Sequence, residues 1–330
     1  MELVPTRKLH LLSGRTHPAL AAEIAANLGV EVGDANLVDF ADGEVRTRFS
    51  ESVRGADVFI IQSHGRTAGR SVNDSLVEQW IMIDAAKRAS AKRITAVCPY
   101  YGYSRQDRKS KGREPITARM VSDFFATAGA DRIISVELHS GQIQGFFDGP
   151  VDHLTAVPLL TDYLREHAPS GDFVMVAPDT GRTKVAEQAA RHAGERVDVA
   201  AVYKRRPKDA LNQVETLGVM GDVDGRMCVL IDDMIDTAGT ICAAADILLD
   251  KGATEVWAMA THAVLSDPAT DRLKNSAIAR VVVTDTLPLP PEKQIDKIEV
   301  VSVAQIFGDA IAAVFGDGSV SQIFGGENQT

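Results

Sequence analysis

The chain has 330 residues, 45% of them hydrophobic and 24% charged, which suits about two globular domains with a substantial core. A formal net charge of −10 argues against a general nucleic-acid surface, which is built on an excess of lysine and arginine. The three cysteines (Cys98, Cys228, Cys242) have neither disulfide nor zinc-ligand spacing, and no apolar run approaches the ~20 residues that span a bilayer. The first residues lack the apolar core of a signal peptide, so a cytoplasmic protein with no membrane partner is expected.

In chain order, an apolar strand is expected at 56–62, a helix at 72–90, a strand at 93–100, a helix at 117–128 and a strand at 132–138. The second half repeats the alternation. Strands are expected at 173–179, 197–203, 227–233, 255–263 and 280–285, with helices at 182–193 and 240–249. Continuous apolar strands separated by helices of about 10–15 residues predict an α/β fold of open, mainly parallel sheets flanked by helices. A unit of helix, short joint and apolar strand recurs in DAAKRASAKRITAVCPYYG, FFATAGADRIISVELHS and ILLDKGATEVWAMATHA. The Gly129-Ala130 and Gly252-Ala253 joints fit glycine helix caps. Two related domains are expected, 1–152 and 153–311, meeting within FFDGPVDHLTAVP. The Gly- and Ser-rich tail is expected to lose order after residue 324. Cys98 and Cys228 sit in strand-like apolar runs and read as buried thiols.

Ligands of open parallel sheets bind beyond the carboxyl ends of the strands, so the residues that follow each strand carry the functional reading. The most specific are VLIDDMIDTAGT at 229–240. A buried strand runs into Asp232 and Asp233, and a short turn with Asp236, Thr237, Ala238, Gly239 and Thr240 opens a helix. Helix N-terminal N–H groups with threonine hydroxyls cradle phosphate, and paired carboxylates just upstream can hold sugar hydroxyls. Positive charge gathers twice on this acidic chain, at Arg105, Arg108, Lys109, Lys111 and Arg113 and again at Lys204, Arg205, Arg206 and Lys208. Such islands suit small, highly charged anions, although solvated basic loops look the same in sequence.

The segment at 229–240 resembles the phosphoribosyl-diphosphate loop of phosphoribosyltransferases, in the form carried by ribose-phosphate pyrophosphokinases of the class I bacterial type. The resemblance covers nearly the whole chain. It takes in FADGE at 40–44, PYYGYSRQDRK at 99–109, ELHSGQIQGFFD at 137–148, APDTG at 177–181, KRRP at 204–207, ATHAVLSDPA at 260–269 and GSVSQIF at 318–324. It implies two phosphoribosyltransferase-like domains and transfer of the β,γ-diphosphate of Mg-ATP to C1 of ribose 5-phosphate. It places ATP at Arg105, Gln106, Asp107 and Arg108, together with Phe40, Asp42 and Glu44 on a loop reaching from a neighbouring subunit. Ribose 5-phosphate falls to Asp232, Asp233 and Asp236 to Thr240, Mg2+ to His139 and Asp179, and catalysis to Lys204 and Arg206 on a loop that closes over ATP. Ser52, Arg54, Ser319 and Ser321 match positions that bind phosphate or ADP as regulators. A homohexamer is implied, as is a tail at about 312–330 packed back on the first domain. The chain departs from the family pattern at Thr180-Gly181-Arg182, where many relatives have His-Gly-Gly, and this touches the metal region. Two other readings are a phosphoribosyltransferase that consumes the diphosphate product, which needs neither FADGE nor RQDRK, and a regulatory protein of the same fold without chemistry.

Overall fold

The apolar runs of the first half fold into a six-stranded, wholly parallel sheet. The computed structural model describes residues 7–168, 172–194, 196–205 and 216–324, with 204, 205, 216 and 217 described by their backbone alone. The elements of the first half are β1 (Leu9–Ser13), α1 (Pro18–Leu28), β2 (Val32–Gly33), β3 (Val38–Asp39), β4 (Val45–Arg46), β5 (Asp57–Ile61), α2 (Val72–Arg88), β6 (Arg93–Cys98), α3 (Thr117–Ala128), β7 (Arg132–Val136) and β8 (Val151–Leu154). The sheet order is β2-β1-β5-β6-β7-β8, and β3 with β4 forms a separate antiparallel hairpin. All five residues of β5 are buried, as a strand covered on both faces requires. Helix α2 starts at Ser71 in a capping box: Asp74 accepts from the Ser71 N–H while the Ser71 hydroxyl accepts from the Asp74 N–H. Helix α3 ends at Gly129 with φ 113°, the left-handed cap that its Gly-Ala joint suggests.

The second half contributes α4 (Val157–His167), β9 (Phe173–Ala177), α5 (Thr183–Ala193), β10 (Asp198–Arg205), β11 (Thr216–Met220), β12 (Met227–Ile235), α6 (Gly239–Asp250), β13 (Glu255–Ala263), α7 (Ala269–Asn275), β14 (Arg280–Thr284) and β15 (Ile298–Val301). These strands form a seven-stranded sheet, β11-β10-β9-β12-β13-β14-β15, in which β10–β11 is the antiparallel pair. Trp257 of β13 is fully buried in its core, with the indole N–H donating to Glu255 Oε1 at 2.5 Å. Both Cys98 and Cys228 are buried free thiols.

By packing, the chain divides into two units. One holds residues 7–155, Thr286–Pro288 and 302–324 among those described; the other holds Ala156–Asp285 and Leu289–Val301. After β15 the chain returns to the first unit as α8 (Ala304–Phe315), which packs against α1. Ion pairs secure the return. Asp317 meets Arg7 Nη1 and Arg93 Nη1, each at 2.7 Å, and both arginines also engage the buried Asp57. The expected loss of order after 324 falls on 325–330, outside the described residues. Among the described residues no helix is long and apolar enough to cross a membrane.

Candidate active site

In the second unit, β12 carries Asp232 and Asp233 to the carboxyl edge of its sheet. It is flanked there by β9 and β13. Asp233 is buried, and Asp232 is partly covered with Oδ1 accepting the Asp233 N–H at 2.8 Å. The guanidinium of Arg182 meets both acids: Nε lies 2.8 Å from Asp232 Oδ1 and Nη2 lies 2.7 Å from Asp233 Oδ1. Burial, reinforced by the neighbouring carboxylate of Asp233, holds Asp232 well above the usual carboxylate range, and Arg182 opposes this.

The turn after β12 is Asp236-Thr237-Ala238, and α6 begins at Gly239. Ala238 stands at φ 59°, a left-handed conformation that costs a residue with a Cβ about 1–2 kcal/mol. It turns the chain so that the first turn of α6, which has no side-chain cap, is led by Thr237 and Gly239. N–H groups that end a helix without a side-chain cap suit an anion. Arg272 of α7 supports the turn from behind, donating to the Thr237 carbonyl at 2.9 Å. A Cβ at Gly239 would lie 3.3 Å from Arg272 Nη1, so the close approach of the two segments favours glycine. Asp179, after β9, is exposed and caps the turn Thr180–Arg182 by accepting the Gly181 N–H at 2.8 Å. Lys204 lies in β10 opposite Leu217 of β11, described by its backbone alone, and Arg206 lies outside the described residues.

In the first unit, the loop after β6 carries Arg105, Gln106, Asp107 and Arg108. Arg105 and Arg108 are exposed. Gln106 is held by its own backbone and by Thr117, whose hydroxyl donates to Gln106 Oε1 at 2.6 Å. Asp107 is turned inward: Oδ2 accepts from Ser140 Oγ at 2.6 Å and from Gln142 Nε2 at 2.7 Å. Its carboxylate thus fastens the loop after β6 to the loop after β7, where His139 sits half-buried. Glu137, just before it, is a buried non-glycine residue at φ 44°, an uncommon backbone state that clusters at functional sites. His64, at the end of the neighbouring strand, is fully buried between Gln79 Oε1 at 2.7 Å and the Gly102 N–H at 2.9 Å, as a core histidine.

Phe40 to Glu44 form the tip of the β3–β4 hairpin and are all exposed, with Phe40 51% accessible. Ala41-Asp42-Gly43 form a turn, with Gly43 at φ 94° and the Phe40 N–H donating to the Glu44 carbonyl at 2.8 Å. The root of the hairpin is held tightly. Asp39 is paired with Arg15 at 2.6 Å and Arg70 at 3.2 Å, and both arginines grip the fully buried Glu78 at 2.7 Å. Ser52, Arg54, Ser319 and Ser321 are exposed residues of this same unit, with the two tail hydroxyls 2.9 Å apart.

The structure therefore brings Asp232, Asp233 and the Asp236–Thr240 turn together on one edge, and Arg105–Arg108 beside His139 on another. Sequence reading passed over Arg182 as a partner of the acids, and over Arg272, Arg15, Arg70 and Glu78. Their partners lie mostly tens of residues away, and the Arg70–Glu78 pair, eight residues apart, has no helical or strand spacing to mark it; the Arg182 departure was the single visible signal.

Residues 9–129 match the family model described as the N-terminal domain of ribose phosphate pyrophosphokinase, and residues 176–325 match the phosphoribosyl synthetase-associated domain. A ribose-phosphate pyrophosphokinase of Streptomyces avermitilis is 54% identical over 320 residues, covering 96% of each chain. One from Mycobacterium tuberculosis is 50% identical over 321 residues, covering 97% of each. A crystal structure of phosphoribosylpyrophosphate synthetase from Mycobacterium smegmatis superposes with a TM-score of 0.88 at 50% identity, over 94% of this chain and 100% of that one. Near-complete coverage at this identity, on a fold of two open parallel sheets, makes the chain a member of the ribose-phosphate pyrophosphokinase family.

Proposed function

We propose that the chain transfers the β,γ-diphosphate of ATP to the C1 hydroxyl of ribose 5-phosphate, giving 5-phospho-α-D-ribose 1-diphosphate and AMP. The observation that carries this reading is the β12–α6 unit: two clustered carboxylates, a left-handed turn and a helix start without a side-chain cap, in that order. That order suits a sugar phosphate, with hydroxyls donating to Asp232 and Asp233 and phosphate oxygens accepting from the N–H groups and hydroxyls of Thr237 to Thr240. Asp236 lies in the same turn. The C1 hydroxyl then attacks the β-phosphorus in line and AMP leaves. Arg105 and Arg108 supply planar cations for the triphosphate, and Gln106 an amide for the base edge. Asp107 belongs to this site as the fastener of its loop. Phe40, Asp42 and Glu44 serve the ATP of a neighbouring copy. Lys204 and Arg206 neutralise charge that develops on the transferred group and on the leaving AMP.

Mg2+ is the expected metal. Among the described residues no three His, Cys, Asp or Glu side chains gather as ligands. Magnesium is commonly held by one or two protein groups with water and substrate phosphates, so the exposed Asp179 of the second unit and the half-buried His139 of the first are each candidate ligands for an ion that arrives with ATP. When bound, magnesium draws charge from phosphate oxygens. Phosphate and ADP are the proposed regulators at Ser52, Arg54, Ser319 and Ser321. A homohexamer is the proposed assembly. In support, Val77 of α2 with Ile116, Met120 and Phe124 leaves large apolar side chains 38–48% exposed on the first unit.

A coupled assay for AMP formed from ATP and ribose 5-phosphate, with Mg2+ and phosphate present, tests the reaction. Ribose 5-phosphate-dependent AMP is expected. Its absence overturns the proposal, as does AMP formed equally well without the sugar.

A further inference from the structure

Arg182 ends the turn that follows β9 and directly precedes α5. Its guanidinium crosses to the adjacent strand β12 and meets two consecutive acids with two different nitrogens, at 2.8 and 2.7 Å. Consecutive strand residues ordinarily project to opposite faces, so one side chain seldom serves both. Here it does, and all three side chains are largely covered, at 16% for Arg182, 19% for Asp232 and 3% for Asp233. The rigid fork of arginine is what allows two fixed oxygens to be gripped at once; a lysine presents a single point charge. Two buried acids this close disfavour a second negative charge, and the cation set between them offsets that cost while bonding to both.

We infer that Arg182 is a positioning residue of the sugar site, a clamp that fixes Asp232 and Asp233 in the arrangement that accepts the vicinal hydroxyls of ribose 5-phosphate. The inference rests on the reading of Asp232 and Asp233 as sugar ligands. Arg182 acts through the acids and needs no contact with the reacting atoms. It stands at the position where the chain departs from the commoner family pattern, so this clamp marks only those members with arginine there.

The test is steady-state kinetics on the full-length enzyme, varying each substrate in turn, for Arg182→Ala, Arg182→Lys, Asp232→Asn and the Arg182→Ala/Asp232→Asn pair. Arg182→Ala is expected to raise KM for ribose 5-phosphate about tenfold or more while KM for ATP stays within about twofold. Arg182→Lys is expected to recover part of the loss. In the Asp232→Asn background, Arg182→Ala is expected to add little, because the clamp has then already lost a carboxylate. An unchanged or lowered KM for ribose 5-phosphate overturns the inference. So does an equal rise for both substrates, or a full multiplicative effect in the pair, since each marks a general structural role. If Arg182→Ala does not fold, as judged by its melting curve, the lysine variant decides by the same split between substrates. Asp232→Asn separates the layers. If it leaves KM for ribose 5-phosphate unchanged, the sugar reading falls and the clamp with it; if it raises that KM and Arg182→Ala does not, the clamp alone falls.

Discussion

The loop after β12 and the β3–β4 hairpin are built on opposite plans. The first covers its acids at the end of β12: Asp233 is buried, Arg182 grips both acids, and Arg272 backs the turn at Thr237. The hairpin is anchored at its root, where Asp39 joins Arg15, Arg70 and the buried Glu78 in a charge network, and it leaves Phe40 to Glu44 exposed. A site that meets its ligand within one subunit can be organised in advance by its own chain. A site completed by a neighbouring copy must keep its contact residues bare until that copy arrives. The two plans separate cost from function. On the proposed reading, loss of the paired acids of the loop should damage stability and activity together, and loss of the hairpin tip should damage activity alone.

The largest expected effect is at the loop. Asp233→Ala should lower kcat/KM for ribose 5-phosphate by about a thousandfold and also lower the melting temperature, because it strips Arg182 of a buried partner. A fully active variant would remove the acids from the site. Next comes the root of the hairpin. Glu78→Ala leaves two arginines facing a lost buried carboxylate and should cost about 3–5 kcal/mol, read from urea unfolding. A stability change near zero would mean that solvent already satisfies those arginines.

Close to that network lies His64, whose partner Gln79 adjoins Glu78 on α2. Complete burial lowers its pKa from 6.5 to about 4. The folded state therefore favours the neutral ring. Its contribution is fully present above the ordinary pKa near 6.5 and is lost as pH falls toward 4. The loss should reach about 3 kcal/mol, at roughly 1.4 kcal/mol for each pH unit between the two values. Unfolding measured at pH 7 and near pH 4.5 should show a component that disappears in His64→Asn. At the tip, Phe40→Ala should raise KM for ATP about tenfold with no change in melting temperature. A lower melting temperature would show that the tip is part of the folded core, which would break the comparison. The smallest effect returns to the loop. Ala238→Gly should stabilise the protein by up to about 1 kcal/mol by relieving its left-handed backbone, with turnover retained.

The sequence made legible the elements whose patterns are local. Thr117–Ala128 and Glu255–Ala263 form over the expected residues, the first bounded by a glycine cap and the second marked by the apolar run from Val256 to Ala260. The β12–α6 unit was readable for the same reason, since acids, turn and helix start are contiguous. Helices α1 and α8 were not, because PALAAEIAANL and AQIFGDAIAAVF are apolar nearly all round and show no single buried stripe; they pack on each other from opposite ends of the chain. The strands of the hairpin are two residues each and have no period to detect. Arg182 and Arg272 act through partners distant in sequence, and Glu78 joins the distant Arg15 to Arg70. Charge alone could not say whom they would meet.

The return of α8 to α1 has a consequence for the order of assembly. The first unit is interrupted by the second, and its last helix and the Asp317 pairs are made only after residue 302. On a ribosome the second unit emerges whole while the first still lacks α8, so α1 keeps an uncovered apolar side throughout that interval. The half of the molecule that is translated first is thus the half that closes last.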